Sequence, residues 1–189
     1  MASQTFYSPK APVRYAHLIT AELYKDKWNY SVELILDDNN PVHKSFLDKL
    51  EAEFVSLHGT KRDRAKNGEP WSSIGEGKTR VRFKTRRFEN SDGTFSKGPK
   101  IVDAKKQPWD GTDIGNGSEM IIGFTIRDWM DDGAGISLLP KACQIVSYVP
   151  REDAGEQVAD GFEEQEGGFA LATAGGYVDE FANDEEPPF

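Results

Sequence analysis

The stretch from Lys78 to Phe88, KTRVRFKTRRF, holds the chain's densest run of chemically useful side chains. Read with the two-residue period of a strand, Lys78, Arg80, Arg82, Lys84 and Arg86 point one way, while Thr79, Val81, Phe83 and Thr85 point the other. The first set is a row of cations with no acid among them; the second can join a core. Neighbours in the row sit roughly 7 Å apart and repel one another unless a polyanion neutralises them. A solvated outer face is the plain alternative, but an unbroken run of one sign favours an anion-binding face, and its spacing is close to the phosphate repeat of an extended nucleic-acid strand.

Further cations flank this row. Lys61, Arg62, Arg64 and Lys66 precede it in a segment that also carries Trp71, Arg87 extends it, and Lys97, Lys100, Lys105 and Lys106 follow. Trp71, Phe88, Phe95 and Trp109 each lie beside basic residues in or next to a loop or hairpin, which makes them candidates for stacking on bases. Most of Trp28, Tyr30, Phe83, Phe124, Trp129 and Tyr148 fall on apolar faces of expected strands and are assigned to the core. Basic side chains that follow a backbone, with loop aromatics that stack bases, are the two components of sequence-tolerant single-strand binding. Duplex readout would need a helix rich in base-reading side chains, and the one helix expected here carries Asp48, Glu51 and Glu53.

The net charge of −9 does not oppose this reading, because the charge is divided along the chain. Residues 1–150 carry 22 Lys and Arg against 20 Asp and Glu, whereas residues 151–189 carry one Arg against 12 acids. Within the body, residues 61–106 hold 14 basic and 6 acidic side chains. The expectation is a folded domain over 1–150 and a disordered acidic tail over 151–189, whose Glu, Asp, Gly and Ala cannot supply a core. The single cysteine, Cys143, has no disulfide partner and packs as a small apolar residue, which fits a reducing, cytoplasmic compartment. No signal-peptide pattern opens the chain, and no apolar run is long enough for a membrane span.

The elements that must position these groups read as a mainly β domain. Val13–Thr20 and Trp28–Leu36 form an antiparallel pair joined around Tyr24–Lys27. A helix follows with Asn40 as cap, Pro41 at its first position, Phe46, Leu47, Leu50, Phe54 and Leu57 on one face, and Gly59 at its end. Residues 61–77 read as a mobile basic loop, the basic strand comes next, and a turn at Asn90–Gly93 leads to an arm broken at Gly98-Pro99. Glu119–Trp129 and Ile136–Val149 are the last strands, joined through Asp131–Gly135. The fold class expected is an OB-fold-like antiparallel barrel of five to seven strands with one helix.

Enzymatic readings find little support. Gly75-Glu76-Gly77-Lys78-Thr79 resembles the end of a phosphate-binding loop, but Ser72 stands where that pattern needs Gly, and a strand rather than a helix follows. His17, His43 and His58 with one cysteine give no zinc spacing, so no metal and no cofactor are expected. Acidic pairs such as Asp131-Asp132 fall in turns, where solvation explains them.

The ending Asp184-Glu185-Glu186-Pro187-Pro188-Phe189 resembles the tail tips of bacterial and bacteriophage single-stranded DNA-binding proteins, which are acidic and finish in phenylalanine. In the body, Pro99–Ala104 (PKIVDA), Asn116-Gly117-Ser118 before a strand, and Gly135-Ile136-Ser137-Leu138 leading to Ala142–Val146 are similar to landmarks of the phage proteins. The resemblance covers about residues 12–149 and the tip. It implies an OB-type body that binds single-stranded DNA in phage replication, recombination and repair, without enzymatic activity. It also implies a tail tip that contacts replication proteins (polymerase, helicase or primase) and restrains DNA binding. The helix departs from the usual OB order, following the second strand rather than the third. An RNA-binding OB or cold-shock-like module is the first rival, and a nuclease or nucleotide-dependent factor the second. A homodimer is among the assemblies the sequence allows.

Overall fold

Two-residue turns set the frame. In the computed structural model, which describes residues 4–60 and 63–151, β2 (Ala11–Tyr24) and β3 (Lys27–Asp37) meet at Lys25-Asp26. Both turn residues have positive φ, 47° and 60°, the geometry that matches the right-handed twist of paired strands. Glu76 and Gly77, at φ 52° and 66°, do the same between β4 (Trp71–Gly75) and β5 (Lys78–Arg86). The long strands β7 (Glu119–Met130) and β8 (Ala134–Ser147) are joined across Asp131–Gly133, and two short strands, β1 (Phe6–Tyr7) and β6 (Lys100–Val102), are added at the sheet's margins.

Five strands close into a ring in the order β2, β3, β5, β8, β7 and back to β2. This is the OB-like architecture expected, with one difference. β5 and β8 run parallel, in contact at Phe83 and Leu138. A closed ring with an odd number of strands must contain at least one parallel neighbour, so an entirely antiparallel arrangement could not have closed.

The interior is filled by alternate residues of the ring strands, among them Val32, Leu34, Val81, Phe83, Ile122, Phe124 and Leu138, all at most 1 % exposed. Removing a side chain such as Phe83 from water is worth about 1.5–3 kcal/mol, and Phe83 and Phe124 meet edge to face at 5.1 Å. Cys143 joins this core, and burial pushes its thiol up to about 12.

Helix α1 (Pro41–His58) follows β3, the second strand read from the sequence now that the short β1 is counted before it, and Asn40 caps it by accepting the Val42 N–H at 2.9 Å. Its buried face is His43, Phe46, Leu50 and Phe54, while Leu57 is turned to solvent. His43 takes a structural role: Nδ1 accepts the Asp37 N–H at 2.9 Å, which leaves Nε2 to donate to the Lys10 carbonyl at 3.2 Å. Among the described residues no helix is long and apolar enough to cross a membrane.

The segment expected to be an irregular loop is partly strand. Trp71–Gly75 pairs with the first half of β5, and the chain before it is tied to β8 through Ala65 N–H to Ala134 O and Ile136 N–H to Gly68 O. Its alternation is too short and too polar to register as a strand by pattern; pairing supplied by β5 decides it.

Candidate nucleic-acid interface

Strand β5 alternates as its sequence requires. Thr79, Val81 and Phe83 are buried, and Lys78, Arg80, Arg82, Lys84 and Arg86 lie half-buried or exposed on the opposite face. The row is not free of acids, however. β3 places Glu33 directly opposite Arg82, which donates to its Oε1 from Nη2 at 2.7 Å and from Nε at 3.2 Å. Arg80 Nη1 lies 3.5 Å from the same oxygen, and Arg80 Nε donates to Ser72 Oγ at 2.8 Å. Cross-strand register, invisible in a single strand's sequence, thus sets one carboxylate among the cations and holds two guanidiniums in fixed orientation.

The row forms the floor of a groove because one edge of β5 is shared. β4 covers its first half and β8 its second. At the change of partner a cleft of about 580 Å³ opens, walled by Lys66, Trp71 and Ser72 on one side and Ser137 and Leu138 on the other. Across the floor, toward β2, lies a second cavity of about 320 Å³, with Tyr15, Tyr24 and Glu22 on its walls. Arg80, Arg82 and Lys84 belong to both. Lys84 Nζ stands 5.3 Å from the Tyr24 ring centroid, a cation over an aromatic face. The arrangement offers cations along its length, exposed tyrosine rings on one side and the half-buried Trp71 ring on the other, which suits an extended polyanion that carries flat apolar groups.

The structure divides the other expected site residues. Lys66 and Trp71 stand at the groove; Trp71 is half-buried and also packs on the core. Lys78 lies at the start of β5, exposed opposite Asp37. Past Arg86 the chain enters a hairpin in which Phe88 and Phe95 are 55 % and 49 % exposed, and the Arg87 guanidinium sits 4.3 Å over the Phe95 ring. Lys97 is exposed on the returning arm. Lys100, Lys105, Lys106 and Trp109 gather elsewhere, beside the C-terminal half of β8. There Trp109 donates to the Thr112 carbonyl at 2.8 Å and packs against Tyr148 at 5.1 Å, leaving it half-buried against the core. Arg64 is engaged within the body. It donates to Glu51 and Glu69 and stacks 4.3 Å over the Phe54 ring, so the two carboxylates raise its pKa, and it lowers that of Glu51. Lys61, Arg62 and the tip residues Asp184 to Phe189 lie outside the described residues.

Three aromatics differ from their core assignment: Trp28 and Tyr148 are 45 % and 38 % exposed, and Trp129 is half-buried, donating to Ser137 Oγ at 3.1 Å. Tyr15 and Tyr24, absent from the sequence-based candidates, are 61 % and 55 % exposed at the groove. Tyr24 flanks the turn Lys25-Asp26, and that position was the only available signal. Tyr15 gave none: it has φ 50° within an irregularity of β2 between Arg14 and His17, where the bulge redirects its side chain.

No protein-family model and no curated protein sequence matches this chain. Solved structures do resemble it. One is gp2.5, a single-stranded DNA binding protein encoded by bacteriophage T7, at TM-score 0.65 and 18 % identity over 90 % of this chain and 100 % of that one. Another is the single-stranded DNA-binding protein from bacteriophage Enc34 in complex with single-stranded DNA, at TM-score 0.60 and 11 % identity over 79 % and 89 %. A C-terminal truncation of the Enc34 protein matches at TM-score 0.60 and 12 % identity over 78 % and 88 %. The body of this chain therefore has the fold of phage single-stranded DNA-binding proteins.

Proposed function

We propose that this protein binds single-stranded DNA with little regard to sequence, coating strands during phage replication, recombination and repair. The observation that carries the reading is the groove over β5, where Arg80, Arg82 and Lys84 form a cationic floor between Trp71 on one side and Tyr15 and Tyr24 on the other. Cations neutralise phosphates while rings stack bases, and neither demands a particular base. The fold shared with phage proteins that bind single-stranded DNA supports the same reading. No catalytic step is assigned: the protein acts by occupying the strand, in the host-cell cytoplasm.

The division of charge assigns a second role to residues 151–189, a tail separate from the binding body over 1–150. In the sequence of the tail, the ring of Phe189 follows Pro187-Pro188 and the acids Asp184, Glu185 and Glu186. Such a tip suits an apolar pocket rimmed by Arg or Lys on a polymerase, helicase or primase.

Titrating fluorescent single-stranded oligonucleotides at several salt concentrations tests the binding. Log affinity should fall linearly with log salt, by about 0.7 per phosphate neutralised. Absence of binding, or affinity indifferent to salt, overturns the reading. RNA of the same sequence should compete less well, and equal or better competition would favour an RNA-binding module instead.

A further inference from the structure

The two flanks of the groove differ in chemistry. The cleft between β4 and β8 carries Lys66 and the Ser72 and Ser137 hydroxyls beside the shared cations. The cavity toward β2 carries two carboxylates, Glu22 and Glu33, with Tyr15, Tyr24, His17 and Ser31. A phosphate in the second cavity would meet both carboxylates, so a strand lying along the floor is driven to put its backbone on the β4 and β8 flank and its bases toward β2.

We propose that this second cavity is a base-reading pocket that favours cytosine over thymine. The inference rests on the reading of the groove as a single-stranded DNA site. At about 320 Å³ the cavity has room for one nucleobase, and its exposed tyrosine rings give that base a stacking surface. The base edge would then meet fixed partners. Glu33, whose side chain is only 9 % exposed, receives both Arg82 hydrogen bonds and the Arg80 ion pair on Oε1, so Oε2 keeps its capacity to accept. Glu22 Oε1 accepts the Ser31 hydroxyl at 2.6 Å, and its Oε2 lies 3.5 Å from His17 Nε2.

The floor therefore presents carboxylate acceptors beside guanidinium donors. Cytosine answers with an amino donor at N4 next to an acceptor at N3. Thymine presents the O4 carbonyl where cytosine has its amine, and its one donor, N3–H, lies between two carbonyls, so a pose that offers N3–H to one carboxylate turns a carbonyl oxygen toward its neighbour. The strained backbone at Tyr15 fits this picture, since the bulge there turns its ring toward the cavity rather than leaving the strand regular.

The test compares dC-only and dT-only oligonucleotides of equal length, bound by the full chain at matched salt. The wild type should prefer dC by about fivefold or more, the low end of one good base contact. Glu22→Gln is the main variant: the side chain is 39 % exposed, and Gln still accepts the Ser31 hydroxyl. In it, and in Glu33→Gln where that folds, the ratio should fall toward one while salt-dependent binding to both strands persists. Equal affinities in the wild type, or a ratio unchanged in the Gln variants, overturns the pocket. If neither oligonucleotide binds in a salt-dependent way, it is the single-strand reading itself that fails.

Discussion

At the scale of single residues, Arg64 and Lys84 separate two uses of positive charge. Both lie in the basic region of the sequence, but Arg64 is held by Glu51 and Glu69 over Phe54, whereas Lys84 faces the groove. Arg64→Ala should cost about 1 kcal/mol of stability, the sum of a partly exposed ion pair and a cation over a ring, and should leave DNA affinity unchanged. The brace also has a pH signature. Arg64 depresses the Glu51 pKa, so its contribution is complete above the ordinary Glu value of 4.5 and is lost as pH falls through the folded value. Urea melts of wild type and Arg64→Ala should therefore differ most at neutral pH and by less well below the carboxylate range, where only the contact of Arg64 with the Phe54 ring remains; a difference that does not shrink would assign the whole effect to that contact.

Trp71 combines roles that sequence reasoning treats as alternatives. It packs on the core and faces the groove. Trp71→Ala should lower both the melting temperature and the DNA affinity, the latter by about 1–3 kcal/mol with little dependence on base, whereas Trp71→Phe should restore most of each. Loss of stability alone would mean that no base stacks there.

At the scale of elements, β5 acts together with β3. Replacing Arg80 and Arg82 by Ala strips Glu33 of its partners while it remains only 6 % exposed, so that pair of substitutions threatens the fold as well as the groove. Adding Glu33→Gln removes the stranded charge. The triple variant should be more stable than the double, and its salt slope should be flatter than wild type by up to about 1.4 for the two arginines together. Lys84→Ala, with no carboxylate partner on β3, where Ser31 lies opposite, should flatten the slope by about 0.7 at little cost in stability, since it gives up only its place over the Tyr24 ring. An unaltered slope in both variants would place the phosphate track off β5.

At the scale of the whole chain, charge is the variable. Removing residues 151–189 takes away 12 acids and one Arg and changes the net charge from −9 to +2. If the tail competes with DNA for the basic groove, the truncated protein should bind DNA more tightly, most at low salt where the attraction is least screened. Removing Phe189 alone should spare DNA affinity and abolish capture of replication proteins. Identical affinities before and after truncation at low salt would dismiss the competition, and capture that survives without Phe189 would dismiss the tip as a handle.

Local rules in the sequence were enough for several features. The two-residue period of Lys78 to Arg86 fixed which side chains face the core, because a strand alternates whatever its neighbours are. Asn40-Pro41 fixed the start of the helix, and the strands read at Glu119–Trp129 and Ile136–Val149 fall within one or two residues of β7 and β8. Pairing decided the rest. Glu33 meets Arg82 through the register of β3 on β5, the groove opens where β4 yields the β5 edge to β8, and Tyr15 enters it through a bulge in β2. Each of these joins residues distant in sequence. A pattern within one segment records which face a side chain occupies, but only the closed ring of strands sets what stands across from it.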